Sequence, residues 1–143
     1  MTIDITHAES DDEIAATFDV MQQLRPHLEN SQYISTIRSL MASDGLRLLV
    51  LSEQGTVRAV AAYRVMNMLY CGSLIYIDDL VADERVRSRG YGAQLIARLK
   101  DEGRALGCTE VQLISRVTRE QAHRFYFREG FGMECFHFRA KLP

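Results

Sequence analysis

At 143 residues, with 47% hydrophobic and 25% charged side chains, the chain has the make-up of one globular domain that can fold without disulfides or a structural metal. Its formal net charge of −2 gives no global attraction to nucleic acid or to an anionic membrane, so any anion site must be a local feature. No stretch is apolar for long enough to span a bilayer. Met1-Thr2-Ile3-Asp4 lacks the basic and apolar parts of a secretion signal, which predicts a cytoplasmic location. Cys71, Cys108 and Cys135 are odd in number and widely spaced, which argues for free thiols and against a disulfide framework or a Cys-x-x-Cys zinc pair.

In chain order, Thr2 to Thr6 alternates as a short strand. Ser10-Asp11-Asp12-Glu13 reads as a capping box opening a helix with Ile14, Phe18 and Met21 on one face, which stops near Pro26. A second helix places Ile34, Ile37 and Met41 together and ends around Asp44-Gly45. The period then shortens. Leu46 to Leu51 and Val57 to Met66 read as strands joined by the turn Ser52-Glu53-Gln54-Gly55. Leu74 to Ala82 is a third strand, apolar throughout except at Asp78 and Asp79, as suits a strand buried on both faces. Tyr91 to Leu106 is the clearest helix, with Leu95, Leu99 and Leu106 on one face, Ile96 beside them, and Gly107 as the residue that closes it. Glu110 to Val117 predicts another strand. Thr118-Arg119-Glu120-Gln121 reads as a second capping box for a helix carrying Ala122, Phe125 and Tyr126 inward, and Gly132 to Leu142 alternates as a last strand. The predicted order is β-α-α-β-β-β-α-β-α-β: a single α/β (α+β) domain over residues 1–143. A mixed, mostly antiparallel sheet is flanked by helices, with one parallel crossover through the long helix.

Between the third strand and the long helix lies Arg87-Ser88-Arg89-Gly90-Tyr91-Gly92-Ala93. Glycine lets the backbone come close to a ligand, the helix N-terminus contributes partial positive charge, and Arg85, Arg87 and Arg89 add full charges. This suits a phosphate or pyrophosphate, although a Gly-x-Gly turn before a helix is also a common tight connection. The basic cluster is short and lacks interleaved aromatics, which argues against nucleic acid. His123 and His137 lie among arginines and aromatics rather than in a metal-ligand spacing, so no metal is expected.

The strand, Arg87-x-x-Gly90-x-Gly92 and the helix after it resemble the acyl-CoA-binding motif of the GNAT superfamily of N-acetyltransferases. Some thirty residues on, Ala122-His123-Arg124-Phe125-Tyr126-Phe127-Arg128-Glu129-Gly130-Phe131 is similar to that family's Ala-x-x-x-Tyr-x-x-x-Gly-Phe pattern. The two motifs stand in the family's order and on its elements, and the resemblance covers most of the chain. It implies acetyl-CoA as co-substrate, with its pyrophosphate on the backbone N–H groups of Arg89, Gly90, Tyr91, Gly92 and Ala93, aided by Arg87 and Ser88. It implies that the pantetheine arm pairs with the main chain of Leu80 and Val81, where the family's strand splays after a bulge.

The resemblance also implies Tyr126 as the general acid toward the coenzyme sulfur, while its alternative reading is packing against Phe125. Asp78 and Asp79 are the candidate base. Successive strand residues face opposite ways, so one at most faces the reaction cleft unless a bulge intervenes, and a counter-charge or ion-pair role stands beside the base role. The family often has Asn where this chain has Arg119. That position's coenzyme contact is thereby in doubt, with a phosphate or an anionic substrate as Arg119's alternative partner. Residues 122–130 together with His137-Phe138-Arg139 resemble the subgroup containing aminoalkylphosphonate N-acetyltransferases, which implies a small amine carrying an acidic group. The implied activity is acetyl transfer to the primary amine of a small molecule. Protein or peptide acetylation and a non-catalytic acyl-CoA-binding module are the alternatives, and homodimerisation is an expectation from the family.

Overall fold

The computed structural model describes residues 2–143 and builds a five-stranded sheet in the order β1-β2-β3-β4-β5. Its elements are β1 (Ile3–His7), α1 (Asp11–Ala15), α2 (Phe18–Leu24), α3 (Asn30–Asp44), β2 (Arg47–Glu53), β3 (Thr56–Met68), β4 (Gly72–Ala82), α4 (Tyr91–Leu106), β5 (Glu110–Leu113) and α5 (Glu120–Arg128). A single 3-10 turn, Glu84–Val86, precedes α4. The chain divides into one unit running through Gln112 and a second, Leu113–Pro143.

In the first unit, strands β1 to β4 form an antiparallel meander. Alternation along β2 and β3 sends Leu48, Val50, Val60 and Ala62 to one face, where they join Ile14, Phe18, Met21, Tyr33 and Ile37 of α1–α3 in one core. The intervening Leu49, Leu51, Ala59, Ala61 and Tyr63 point the other way and are also buried, as are Tyr91, Leu95, Ile96 and Leu99 of α4. Helix α4 comes close to the sheet at Gly103, where an added Cβ would lie 3.3 Å from Ile75 Cδ1. Each of these aliphatic side chains contributes roughly 1.5–3 kcal/mol by leaving water.

The Ser10 capping box forms as expected, with the Ser10 hydroxyl accepting from Glu13 N–H and the Glu13 carboxylate accepting from Ser10 N–H. The helix it opens is not continuous to Pro26. Thr17, fully buried, donates its hydroxyl to the Ile14 carbonyl at 2.7 Å and meets the Tyr33 hydroxyl at 2.7 Å, and this side-chain competition splits the segment into α1 and α2. Leu106 is half exposed, so the inward face of α4 is Tyr91, Leu95, Ile96, Leu99 and Gly103.

In the second unit the predicted Thr118 capping box is absent: α5 begins after Arg119, whose side chain makes no capping bond. The predicted last strand is also absent, since residues 131–143 carry no strand pairing and Phe136, Phe138 and Leu142 are exposed. Alternation states which residues would share a face, but a strand exists only where a partner takes its hydrogen bonds.

Candidate functional site

The loop before α4 has the backbone of an anion cradle. Ser88 and Gly90 both adopt left-handed φ, +66° and +76°, with Arg89 between them, and Gly90 is the N-cap of α4. No side chain caps this end and its first turn carries no acid. The first bond within the helix runs from Gln94 N–H to the Gly90 carbonyl at 3.1 Å, so the N–H groups of Tyr91, Gly92 and Ala93 precede the helix's own ladder. An added Cβ at Gly90 would meet nothing within 4 Å.

The arginines divide their work. Asp83, fully buried at the end of β4, accepts Arg85 Nε and Nη2, each at 2.9 Å, Arg58 Nη1 at 3.1 Å and Gln23 Nε2 at 3.3 Å. Gln23 in turn accepts Glu84 N–H at 2.9 Å, which ties the loop to α2. Arg85 is therefore a brace of the loop rather than a free charge. Arg89 leans on buried Glu53, 3.8 Å away, which also accepts the Tyr91 hydroxyl at 3.0 Å. Arg87 has only exposed Glu84, at 4.0 Å, and is the most available of the three.

The Arg85 guanidinium beside Asp83, with further donors from Gln23 and Arg58, holds this carboxyl well below the usual carboxylate range despite its burial. A lowered folded pKa stabilises the fold above the unfolded value near 3.9, and this contribution is lost as pH falls below it. Asp83→Asn leaves two guanidinium groups without their carboxylate and is expected to cost about 2–3 kcal/mol in urea unfolding at neutral pH. The gap to the parent narrows below about pH 4, as the parent loses its own charge advantage.

On β4 the register with β3 slips: Ala62 faces Asp79 and Tyr63 faces Ile77, leaving Asp78 as the extra residue of a bulge. The bulge brings both carboxylates to one cavity of about 490 Å³, which Arg25, His27, Tyr33 and Tyr76 also line. Neither carboxylate is bare. Asp78 accepts Arg64 Nε at 3.1 Å and, on its other oxygen, Arg64 Nη2. Asp79 accepts Arg25 Nε at 2.6 Å. Burial raises the Tyr33 phenol above its ordinary range, and burial together with the Asp78 charge does the same for Tyr76. Arg25 and Arg64 were not singled out from the sequence. Only the hairpin register brings Arg64 near Asp78, and Arg25 stands at the end of α2, 54 residues from its partner.

Strand β5 is four residues long and starts beside Ser73, whose carbonyl accepts Thr109 N–H at 2.9 Å. Four residues cannot reach Leu80 and Val81, so their outer main-chain edge lies beyond β5. In the second unit, α5 carries Tyr126 edge-on to Phe125 at 5.3 Å and to Phe131 at 5.7 Å. Burial raises the Tyr126 phenol and the Arg119 charge works against that rise. Arg119 lines a shallow hollow with Thr118, Glu120, Gln121 and Ala122. His123 is hydrogen-bonded to the Arg116 carbonyl at 2.8 Å, a structural use of that ring.

The model of the Acetyltransferase (GNAT) family matches residues 7–133, which takes in the loop, the bulged strand and α5. The chain belongs to the GNAT acetyltransferase family. The Bacillus subtilis uncharacterized N-acetyltransferase YhdJ is 31% identical over 131 residues, covering 91% of this chain and 92% of the relative. The aminoalkylphosphonate N-acetyltransferase of Salmonella typhimurium is 24% identical over 140 residues, covering 97% of this chain and 91% of that one. Among solved structures, the aminoglycoside N-acetyltransferase AAC(6')-Iy in complex with CoA shares the fold with a TM-score of 0.84 at 18% identity, over 98% of this chain and 95% of that one.

Proposed function

We propose that this GNAT acetyltransferase moves the acetyl group of acetyl-CoA to the primary amine of a small molecule by direct attack in a ternary complex. The observation that carries the donor is the uncapped N-terminus of α4 behind two left-handed residues, which leaves backbone N–H groups for an anion to take. The coenzyme pyrophosphate takes these groups with Arg87, and the pantetheine arm takes the outer main-chain edge of Leu80 and Val81. The solved relative that holds CoA supports this choice of donor.

The cavity on the bulged strand supports a small acceptor: about 490 Å³, with carboxylates to receive an ammonium group. The relatives named for aminoalkylphosphonates and aminoglycosides are N-acetyltransferases of small amines. In the reaction the amine nitrogen bonds to the thioester carbonyl carbon and the carbon–sulfur bond breaks. The amine's proton passes to a carboxylate of the Asp78–Asp79 pair or to water, and the Tyr126 phenol protonates the departing thiolate.

The test is a spectrophotometric thiol-release screen over amino acids, aminophosphonates, polyamines, aminoglycosides and peptides. Acetyl-CoA turnover that depends on a small amine is expected. Turnover confined to peptides would move the acceptor to proteins, and coenzyme binding without release on any amine would make the chain a non-catalytic binding module.

A further inference from the structure

We infer that Arg25 is the residue that selects the acceptor, and that it selects amines bearing an acidic group of their own. The inference rests on the reading of the cavity as the acceptor site. Of the two carboxylates there, Asp78 is gripped by two nitrogens of one guanidinium, Arg64, with both side chains about three-quarters buried. Asp79 is held by one nitrogen, Nε of Arg25, whose side chain is 46% exposed. The second contact of Arg25, from Nη2 to the Asp78 carbonyl, is long at 3.5 Å. The two aspartates are about equally buried, but a half-exposed guanidinium held through one nitrogen leaves its carboxylate more readily than a buried one held through two. Asp79 is thus the carboxylate that an incoming ammonium can take, and Arg25 occupies that place beforehand.

What becomes of the displaced guanidinium decides the acceptor. Arg64, behind the lining, already balances Asp78, and Arg25 on the lining balances Asp79, so a plain amine that takes Asp79 leaves Arg25 without an anion, and a polycation adds more positive charge. An amine with a carboxylate or phosphonate a few bonds away supplies both partners at once: its ammonium takes Asp79 and its anion takes Arg25. The anchoring suits such a swing. Arg25 closes α2, with its N–H on the Met21 carbonyl at 3.0 Å, and Pro26 restricts its backbone, while its side chain lines the cavity and stays nearly half exposed.

The test compares β-alanine and aminoethylphosphonate with propylamine and spermidine, by thiol release with acetyl-CoA and by calorimetric titration onto the protein alone. In the parent, kcat/KM is expected to favour the two acidic amines by about 30-fold over propylamine, the worth of one charged hydrogen-bonded contact. The two acidic amines separate a carboxylate preference from a phosphonate preference. In Arg25→Gln the preference falls to about threefold or less, through KM, and Arg25→Lys restores part of it. Preference for propylamine or spermidine in the parent, or a preference untouched in Arg25→Gln, overturns the role of Arg25 and leaves acetyl transfer standing. Calorimetric selectivity that depends on Arg25, without thiol release on any amine, upholds the role of Arg25 and overturns acetyl transfer. Neither binding nor release overturns both.

Discussion

Gly90→Val is expected to weaken acetyl-CoA binding by about 100-fold in equilibrium titration, roughly the loss of one or two charge-assisted hydrogen bonds. Gly90 stands at φ +76°, where a residue with a Cβ is strained by roughly 1–2 kcal/mol and a β-branched one fits worst. The space around it is open, so the effect does not come from a clash with the protein. It comes from the backbone relaxing out of the left-handed region, which turns the N–H groups at the start of α4 away from a common point, and from the added methyl groups standing where the anion would lie. Gly90→Ala carries the strain with less bulk and falls between valine and the parent. Thermal unfolding separates the ligand effect from a general loss of fold. An unaltered dissociation constant in Gly90→Val would falsify the cradle.

Tyr126→Phe is expected to lower kcat by about 100-fold while the dissociation constant of acetyl-CoA stays within about twofold, the signature of a lost proton donor rather than a lost binding group. Phenylalanine keeps the edge-on contacts to Phe125 and Phe131, so the substitution removes only the hydroxyl. Burial raises the phenol, which keeps it protonated through neutral pH and able to donate. A raised acid is lost only as pH climbs toward its own pKa, so the parent's rate falls on the alkaline side, and that limb disappears in the variant. Turnover equal to the parent's would leave Tyr126 with its packing alone.

Much of the fold was readable because local chemistry writes it. The Ser10 box, the strand-to-helix turn at Arg87–Ala93 and the closing Gly107 are decided by residues within a few positions of each other. What escaped depends on distant partners. Thr17 breaks its helix by meeting Tyr33, and Gly132 to Leu142 alternates well yet has no strand to receive it. On β4 the sequence showed two aspartates and an open choice between them. The register of β3 on β4 answers by a bulge at Asp78, which turns neighbours expected on opposite faces toward one cavity. Their arginine partners come from residues 14 and 54 positions away, a distance that motif reading does not cross.

The three arginines of the loop before α4 each face an acid, Arg85 with Asp83, Arg87 with Glu84 and Arg89 with Glu53, and Arg58 shares Asp83, so four cations meet three anions. A cluster that is neutral but for one positive charge casts a small field beyond its own dimensions, and salt at physiological strength screens it within about 8 Å. The loop is therefore a poor long-range attractor of polyphosphates in general. On the proposed reading, a diphosphate reaches this loop nearly undirected and is held by its fit against the main-chain N–H groups rather than by charge.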